Sequence, residues 1–283
     1  MKRADGIKLK HTDVMYRIAA QVMAKRSDAQ NAIELFIPHE PIKAYMQEKR
    51  KAGTPVSHLA VLMAGFVRLF AEYPALNRFI VNKTPYARKE IAFGMVVLGA
   101  KAEEGTANEG TMSKIYFDPN DDIFEVDRKI QEYIVKNRKG DNSTEELMRK
   151  LTAIPGVLRF AVNLIKWADK HNLLPKSIID ASPFHCSMVF TNLASIRTNH
   201  IYHHCYDFGT TSMIFAAGNA RDIPKMKNGQ VVLERCIPLG MVMDERIASG
   251  HYFANAFRRF REFMADPHLL EGPAPKIVTD PEI

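Results

Sequence analysis

The chain has 283 residues, 46% of them hydrophobic and 25% charged, with a formal net charge of +7. That is ordinary globular usage. Fifteen glycines and fifteen prolines exclude a collagen-like or linker-dominated chain, and no apolar run approaches the roughly 18 residues that span a bilayer. The excess charge is diffuse, as in 43–51 where Glu48 sits among lysines, so it predicts a mixed solvated surface rather than a nucleic-acid stripe.

Asp13 is placed to cap a helix on which Val14, Ile18 and Val22 share one face. Residues 32–37 are apolar-rich and predict a strand. Pro41 opens a helix that Gly53 closes, and Pro55 opens another with Leu59, Leu62, Phe66 and Phe70 at helical spacing. Residues 91–98 and 112–117 read as strands. Asp121 and Asp122 then precede an amphipathic helix carrying Ile123, Val126, Ile130 and Ile134.

The polar stretch 136–144, with Gly140, predicts a boundary or exposed loop, and a helical block follows over 145–174. Within it, 157–168 is apolar nearly all round. Such a helix is buried on several sides or meets a partner, so Trp167 is expected to be a buried indole. The last third is strand-rich, over 185–193, 212–217 and 231–243. Leu239, Met241 and Met243 alternate with Gly240 and Val242, so both faces of that strand are expected to be covered. A final helix places Phe253, Phe257, Phe260 and Met264 on one stripe, and a Pro-rich tail from Pro267 is expected on the surface. Strands interspersed with helices, without regular alternation, predict an α+β layered domain. Three cysteines, Cys186, Cys205 and Cys236, do not make a disulfide framework. No apolar block follows the charged first eight residues, so a cytoplasmic location is expected.

The segment from Val242 to Gly250, with Asp244-Glu245-Arg246 and Ser249-Gly250, lies between a strand and an amphipathic helix. It resembles the D-H-R-x-x-D-G signature of dihydrolipoyl acyltransferases, the core subunits of 2-oxoacid dehydrogenase complexes. Chloramphenicol acetyltransferases carry a related H-x-x-x-D-G. Other segments resemble the family in order: 17–23 its first helix, 74–77 its P-x-L-N, 190–195 its T-I-S-N-L-G strand, and 212–218 the strand after it. Residues 148–183 have no counterpart in those subunits and read as a helical insertion within one acyltransferase-like domain over 1–283. The resemblance implies a chloramphenicol acetyltransferase-like two-layer sandwich of mixed sheet and helices. It also implies coenzyme A or acyl-coenzyme A as cofactor.

The departures fall on the catalytic positions. The family's signature His takes a proton from the thiol of coenzyme A or dihydrolipoamide; here that position is Glu245. The signature Asp is Ser249, and the Ser that hydrogen-bonds the tetrahedral oxyanion falls on Thr191, which keeps a hydroxyl. With pKa values of about 8.5 for a thiol, 6.5 for imidazole and 4.3 for Glu, the substitution adds about 3 kcal/mol to the proton transfer. That is on the order of a hundredfold in rate. Burial that raises the Glu pKa would recover it. The alternative for Glu245 is a plain ion pair with a neighbour such as Arg246.

Residues 200–205, His-Ile-Tyr-His-His-Cys, are dense in metal-capable groups, with His185 and Cys186 upstream. Their spacing matches no strong zinc pattern, so no metal is expected. His203 and His204 are candidates to replace the lost general base, and plain packing is the competing reading. The Asp-Lys pair at 169–170 lies inside the helical block, unlike a lipoylated hairpin tip, so no covalent lipoyl group is expected. The resemblance implies a homotrimer, with the family's 24-subunit cubic assembly and dehydrogenase-type partner proteins as extensions; nucleic-acid and membrane partners are not expected. Two functions compete: a coenzyme A-dependent acyltransferase with weak or absent family activity, and a catalytically degenerate trimer-based cage or scaffold.

Overall fold

The computed structural model describes residues 3–98, 110–138 and 157–283. Two sheets and a layer of helices make up the described chain. The large mixed sheet runs β2(Gln30–Pro38), β10(Gln230–Asp244), β8(Met213–Ala217), β7(Met188–Asn192), β5(Ile91–Leu98) and β6(Gly110–Phe117). β7 pairs parallel with both β5 and β8, and the other pairs are antiparallel. β9(Arg221–Lys227) pairs only with the first half of β10, so that hairpin projects past the sheet. A small antiparallel sheet joins β1(Gly6–Lys8), β4(Thr84–Arg88) and β3(Arg78–Val81). This is the expected two-layer α+β sandwich.

Helices α2(His39–Lys51), α3(His58–Glu72), α4(Ile123–Arg138) and α7(Gly250–Ala265) cover one face of the large sheet. α3 is the core of that layer, buried from Ala60 through Ala71. Ser57 caps it, its hydroxyl accepting from the Ala60 amide at 3.1 Å, so the helix starts after Pro55 rather than at it. Likewise α2 begins at His39, two residues before Pro41. Phe66 of α3 stacks on Phe260 of α7 (4.4 Å between centroids) and tilts against Phe215 of β8 (4.3 Å), tying both helices to the sheet.

The opposite face of the sheet is covered by the segment after β7. Ile214, Val189 and Val242 point there and pack with Cys186, Cys205 and Tyr206. The alternation read in β10 is therefore met on both faces: Leu239, Met241 and Met243 enter the main core while Val242 enters this second cluster. Gly240 is what lets the covering segment lie flat. A Cβ there would sit 2.2 Å from the Ile201 carbonyl oxygen.

Three expectations need correction. The tail does not simply lie on the surface. Asp280 is buried and grips Arg78 with two 2.6 Å hydrogen bonds, and Arg68, in the middle of α3, donates to the carbonyls of Gly272 and Pro273. β1, β3, β4 and β9 were not legible as strands; they are short or polar, and pairing rather than pattern defines them. Within one chain, helix α5(Val157–Lys170) does not bury its indole: Trp167 is 54% exposed, with Phe160 and Leu164 beside it on the surface. α5 is tethered through Asp169, which pairs with Arg3 at 2.6 Å, and is followed by the short α6(Lys176–Ala181). Most of the expected loop at 136–144 and the start of the expected insertion, 148–156, lie outside the described residues.

Candidate active site

Glu245 follows the last residue of β10. Its backbone amide donates to the Ala29 carbonyl at 2.8 Å, and its carboxylate accepts from Asn31 Nδ2 at 2.6 Å. Asn31 is there because β2 pairs antiparallel with β10, setting Asn31 opposite Met243. The alternative reading, an ion pair with Arg246, does not form. Arg246 turns inward and donates to the fully buried Asp244, from Nε at 2.8 Å and Nη2 at 2.6 Å. Arg26 approaches the same carboxylate at 3.4 Å and holds the carbonyls of Tyr206 and Ile80. The buried Asp244–Arg246–Arg26 group takes up the charge beside the site and leaves Glu245, half-buried, to Asn31.

Ser249 is the N-cap of α7, its hydroxyl accepting from the Tyr252 amide at 3.1 Å. A short acceptor at that position serves the helix, and aspartate serves it equally well. The change at 249 is therefore structurally silent while removing a charge.

Thr191 lies near the end of β7, opposite Ala216, with a hydroxyl that makes no hydrogen bond to another described residue. Val189 points to the face away from the helices, so Thr191, two residues on, points there too. In register, Thr191 and Glu245 sit toward opposite ends of the sheet. They are about 16 Å apart along the strands and about 10 Å across them, by ordinary strand rise and spacing. One chain does not bring them to a common reacting atom.

His200, paired with Glu34 at 3.0 Å, lies level with Thr191 in the sheet, whereas His203 and His204 lie farther toward the Glu245 end. The segment after β7 crosses the open face of the sheet toward the β2–β10 end. There the Cys205 amide donates to Gln30 Oε1 at 3.2 Å, one residue from Asn31. His203 and His204 stack (5.1 Å, 24°) and both meet Tyr206 edge-on. Cys205, next in the chain, is buried, its thiol pushed up to about 12 by that burial, so it is no nucleophile. His185, which sequence left open as a ligand, is buried between Ser182 Oγ (2.7 Å) and Asp169 (3.3 Å). Burial holds its pKa below the ordinary value despite that carboxylate. The Ser182–His185–Asp169 chain is buried and clamps α5, with Asp169 at the edge of the cleft described below. Among the described residues no group of three His, Cys, Asp or Glu side chains converges to hold a metal.

Sequence reasoning missed Asn31 and Arg26, whose roles are created by strand pairing and carry no local signal. It also missed a cleft of about 370 Å³ beside Arg246. Lys25, Lys83, Lys166 and Lys170 line it, and none of the four ammonium groups meets a carboxylate among the described residues. Its acids are already engaged, Asp169 by Arg3 and Asp207 by Ser27. No helix among the described residues is long and apolar enough to cross a membrane.

No protein-family model and no curated protein matches the sequence. Solved structures do match in shape. The cubic core of the pyruvate dehydrogenase multienzyme complex aligns with a TM-score of 0.59 at 15% identity, covering 93% of either chain. Azotobacter vinelandii dihydrolipoamide acetyltransferase, studied for the catalytic roles of a serine, a histidine and an asparagine, aligns at 0.58 and 14%, covering 90% of this chain and 89% of its own. A chloramphenicol acetyltransferase aligns at 0.53 and 13%, covering 92% and 99%. The chain therefore has the fold shared by dihydrolipoamide acetyltransferase catalytic cores and chloramphenicol acetyltransferase.

Proposed function

We propose that the protein is a coenzyme A-dependent acyltransferase-type protein whose site is completed between copies of the chain in a homotrimer. In this reading Glu245 stands where the family has its histidine. The observation that carries it is the separation of Thr191 from Glu245. An open hydroxyl suited to an oxyanion lies toward one end of the sheet, a hydrogen-bonded carboxylate lies past the other, and each lacks its partner within the chain. A neighbouring copy that set its Thr191 against this chain's Glu245 would bring the two together. The lysine-lined cleft beside Arg246 suits the phosphates of coenzyme A, because four lysines with no carboxylate partner among the described residues surround a small opening. Replacing Lys166 and Lys170 together by Gln should weaken coenzyme A binding at least tenfold in calorimetry.

The chemistry follows from the carboxylate. As a residue type, a carboxylate takes a thiol proton uphill by about 4 pK units, against about 2 for imidazole. Asn31 Nδ2 donates to the Glu245 carboxylate at 2.6 Å and holds it in place. Transfer of acetyl from acetyl-coenzyme A to dihydrolipoamide should therefore be weak or absent. Replacing Glu245 by His and Ser249 by Asp should restore measurable transfer, since the same cap geometry accepts Asp. A robust native rate lost in Glu245→Gln would overturn the weak-base reading. A robust rate that survives Glu245→Gln and dies in His203→Ala or His204→Ala would move the base to the histidine segment.

A second reading, a non-catalytic scaffold, draws on one observation. Among the described residues, apolar side chains stand open on α1(Val14–Val22), with Val14, Met15, Ile18 and Val22, on α5, with Phe160, Leu164 and Trp167, and on the projecting hairpin, with Met226, Val231 and Leu233. That much apolar surface favours burial against other copies whether or not catalysis occurs. A trimer with no transfer to any acceptor would leave this reading in place.

A further inference from the structure

A second cleft, also of about 370 Å³, lies at the end of the sheet remote from Glu245, on the helix side. It opens where α2 and α3 both begin. His39 is the first residue of α2 and His58 the first of α3, and their rings stand 6.0 Å apart across the opening. Met46, Ala194, Ala220 and Ile237 make the rest of its wall largely apolar. Lys43 and Arg50 stand on the same side of α2 as His39, at the rim.

Two atoms in this cleft are unexplained. His39 Nδ1 and His58 Nε2 are shielded from solvent and have no hydrogen-bond partner among the described residues. A buried polar atom without a partner is costly, so proteins satisfy such groups or reserve them for a ligand. The surroundings are positive. Lys43 is matched by Glu40, whereas Arg50 meets no carboxylate among the described residues. The first amides of α2 have no side-chain cap, because Pro38 occupies the N-cap position. An apolar floor, two imidazoles able to donate and an unmatched guanidinium fit one ligand chemistry, that of a pocket mainly apolar with a few convergent polar groups.

We infer that this cleft binds a medium-chain monocarboxylate, its hydrocarbon chain on Met46 and Ile237 and its carboxylate between the imidazoles and Arg50. The cleft shares no wall with Glu245 or Thr191, so the inference is independent of the acyl-transfer reading. Burial and the neighbouring imidazole hold His58 neutral down to about pH 4, so its ring is a hydrogen-bonding group rather than a counter-ion at neutral pH. Arg50 supplies the charge.

Calorimetric titration of the full chain with octanoate, and with octanamide as its uncharged match, tests this. Octanoate should bind saturably and at least tenfold tighter than octanamide. Arg50→Gln, a rim substitution on an exposed side chain, should abolish most of that preference, and Ala194→Phe should block both ligands. In proton NMR the ring signals of His39 and His58 should move on addition of octanoate. Equal binding of acid and amide, no saturable binding, binding indifferent to Ala194→Phe, or unmoved histidine signals would each overturn the inference. None of these readouts depends on acyl transfer.

Discussion

Asp244 has no exposed surface and sits against two arginines. It is kept in place by Arg246, whose two nitrogens and backbone amide all donate to it, and by Arg26 behind. Removing one member of a buried ion group strands the others. Asp244→Asn should therefore cost about 3–5 kcal/mol in urea denaturation. Glu245→Gln keeps an acceptor for Asn31 and should change stability by no more than about 0.5 kcal/mol. Equal effects would show that the two neighbours share one network. His58 supports a pH prediction. Its pKa, ordinarily 6.5, is pushed to about 4 in the fold by burial and by His39. Between those values the unfolded chain holds a proton that the folded chain does not. Stability is full above about pH 6.5 and falls as pH drops through that window, by up to about 3 kcal/mol. Urea midpoints at pH 7 and pH 4.5 should converge in His58→Gln relative to the native chain; an unchanged acid slope would contradict the assignment.

At the scale of elements, β10 is the organising strand. Its first half pairs with β9, and its second half lies between β2 and β8. It ends at Asp244, so Glu245 emerges at a fixed place beside Asn31. The segment carrying His203 and His204 is held against the sheet by close backbone approach at Gly240. Gly240→Ala places a methyl 2.2 Å from the Ile201 oxygen, and the segment must lift. Cys205 should then lose its cover. Its alkylation by a thiol reagent, mapped by mass spectrometry, should rise at least tenfold over the native chain, while Cys236 on the far half of β10 should not change. Unaltered Cys205 reactivity would mean that the segment is held by something other than this contact.

The whole molecule leaves apolar residues of α1, α5 and the β9–β10 hairpin in solvent while covering both faces of its main sheet. We expect a trimer in light scattering, or a larger hollow multiple of three. Phe160→Glu with Leu164→Glu removes exposed side chains, so it should leave the unfolding of a single chain within about 0.5 kcal/mol. If α5 lies at the interface, the same change should split the assembly. Emission from Trp167 then reports contact directly: exposed in separated chains, blue-shifted in the trimer. A clean monomer from the native chain would remove both the trimer and a site shared between copies.

The amino-acid sequence by itself determined the layer pattern, since helical and strand periods are local. The stripes on α3, α4 and α7 and the doubly covered β10 were read from spacing alone. It also pointed to the positions to watch, through the resemblance of two short stretches, 242–250 and 190–195, and so Glu245, Ser249 and Thr191 were named before their surroundings were known. What only the tertiary structure decided was which charges meet. Arg246 chose Asp244 over Glu245, Asn31 arrived across a strand pair, and Asp169 left its own helix face to hold Arg3 and His185. The separation of Thr191 from Glu245 is of the same kind. It follows from a parallel β7–β8 pair beside an antiparallel β8–β10 pair, and strand order and register are long-range properties that no short stretch of residues encodes.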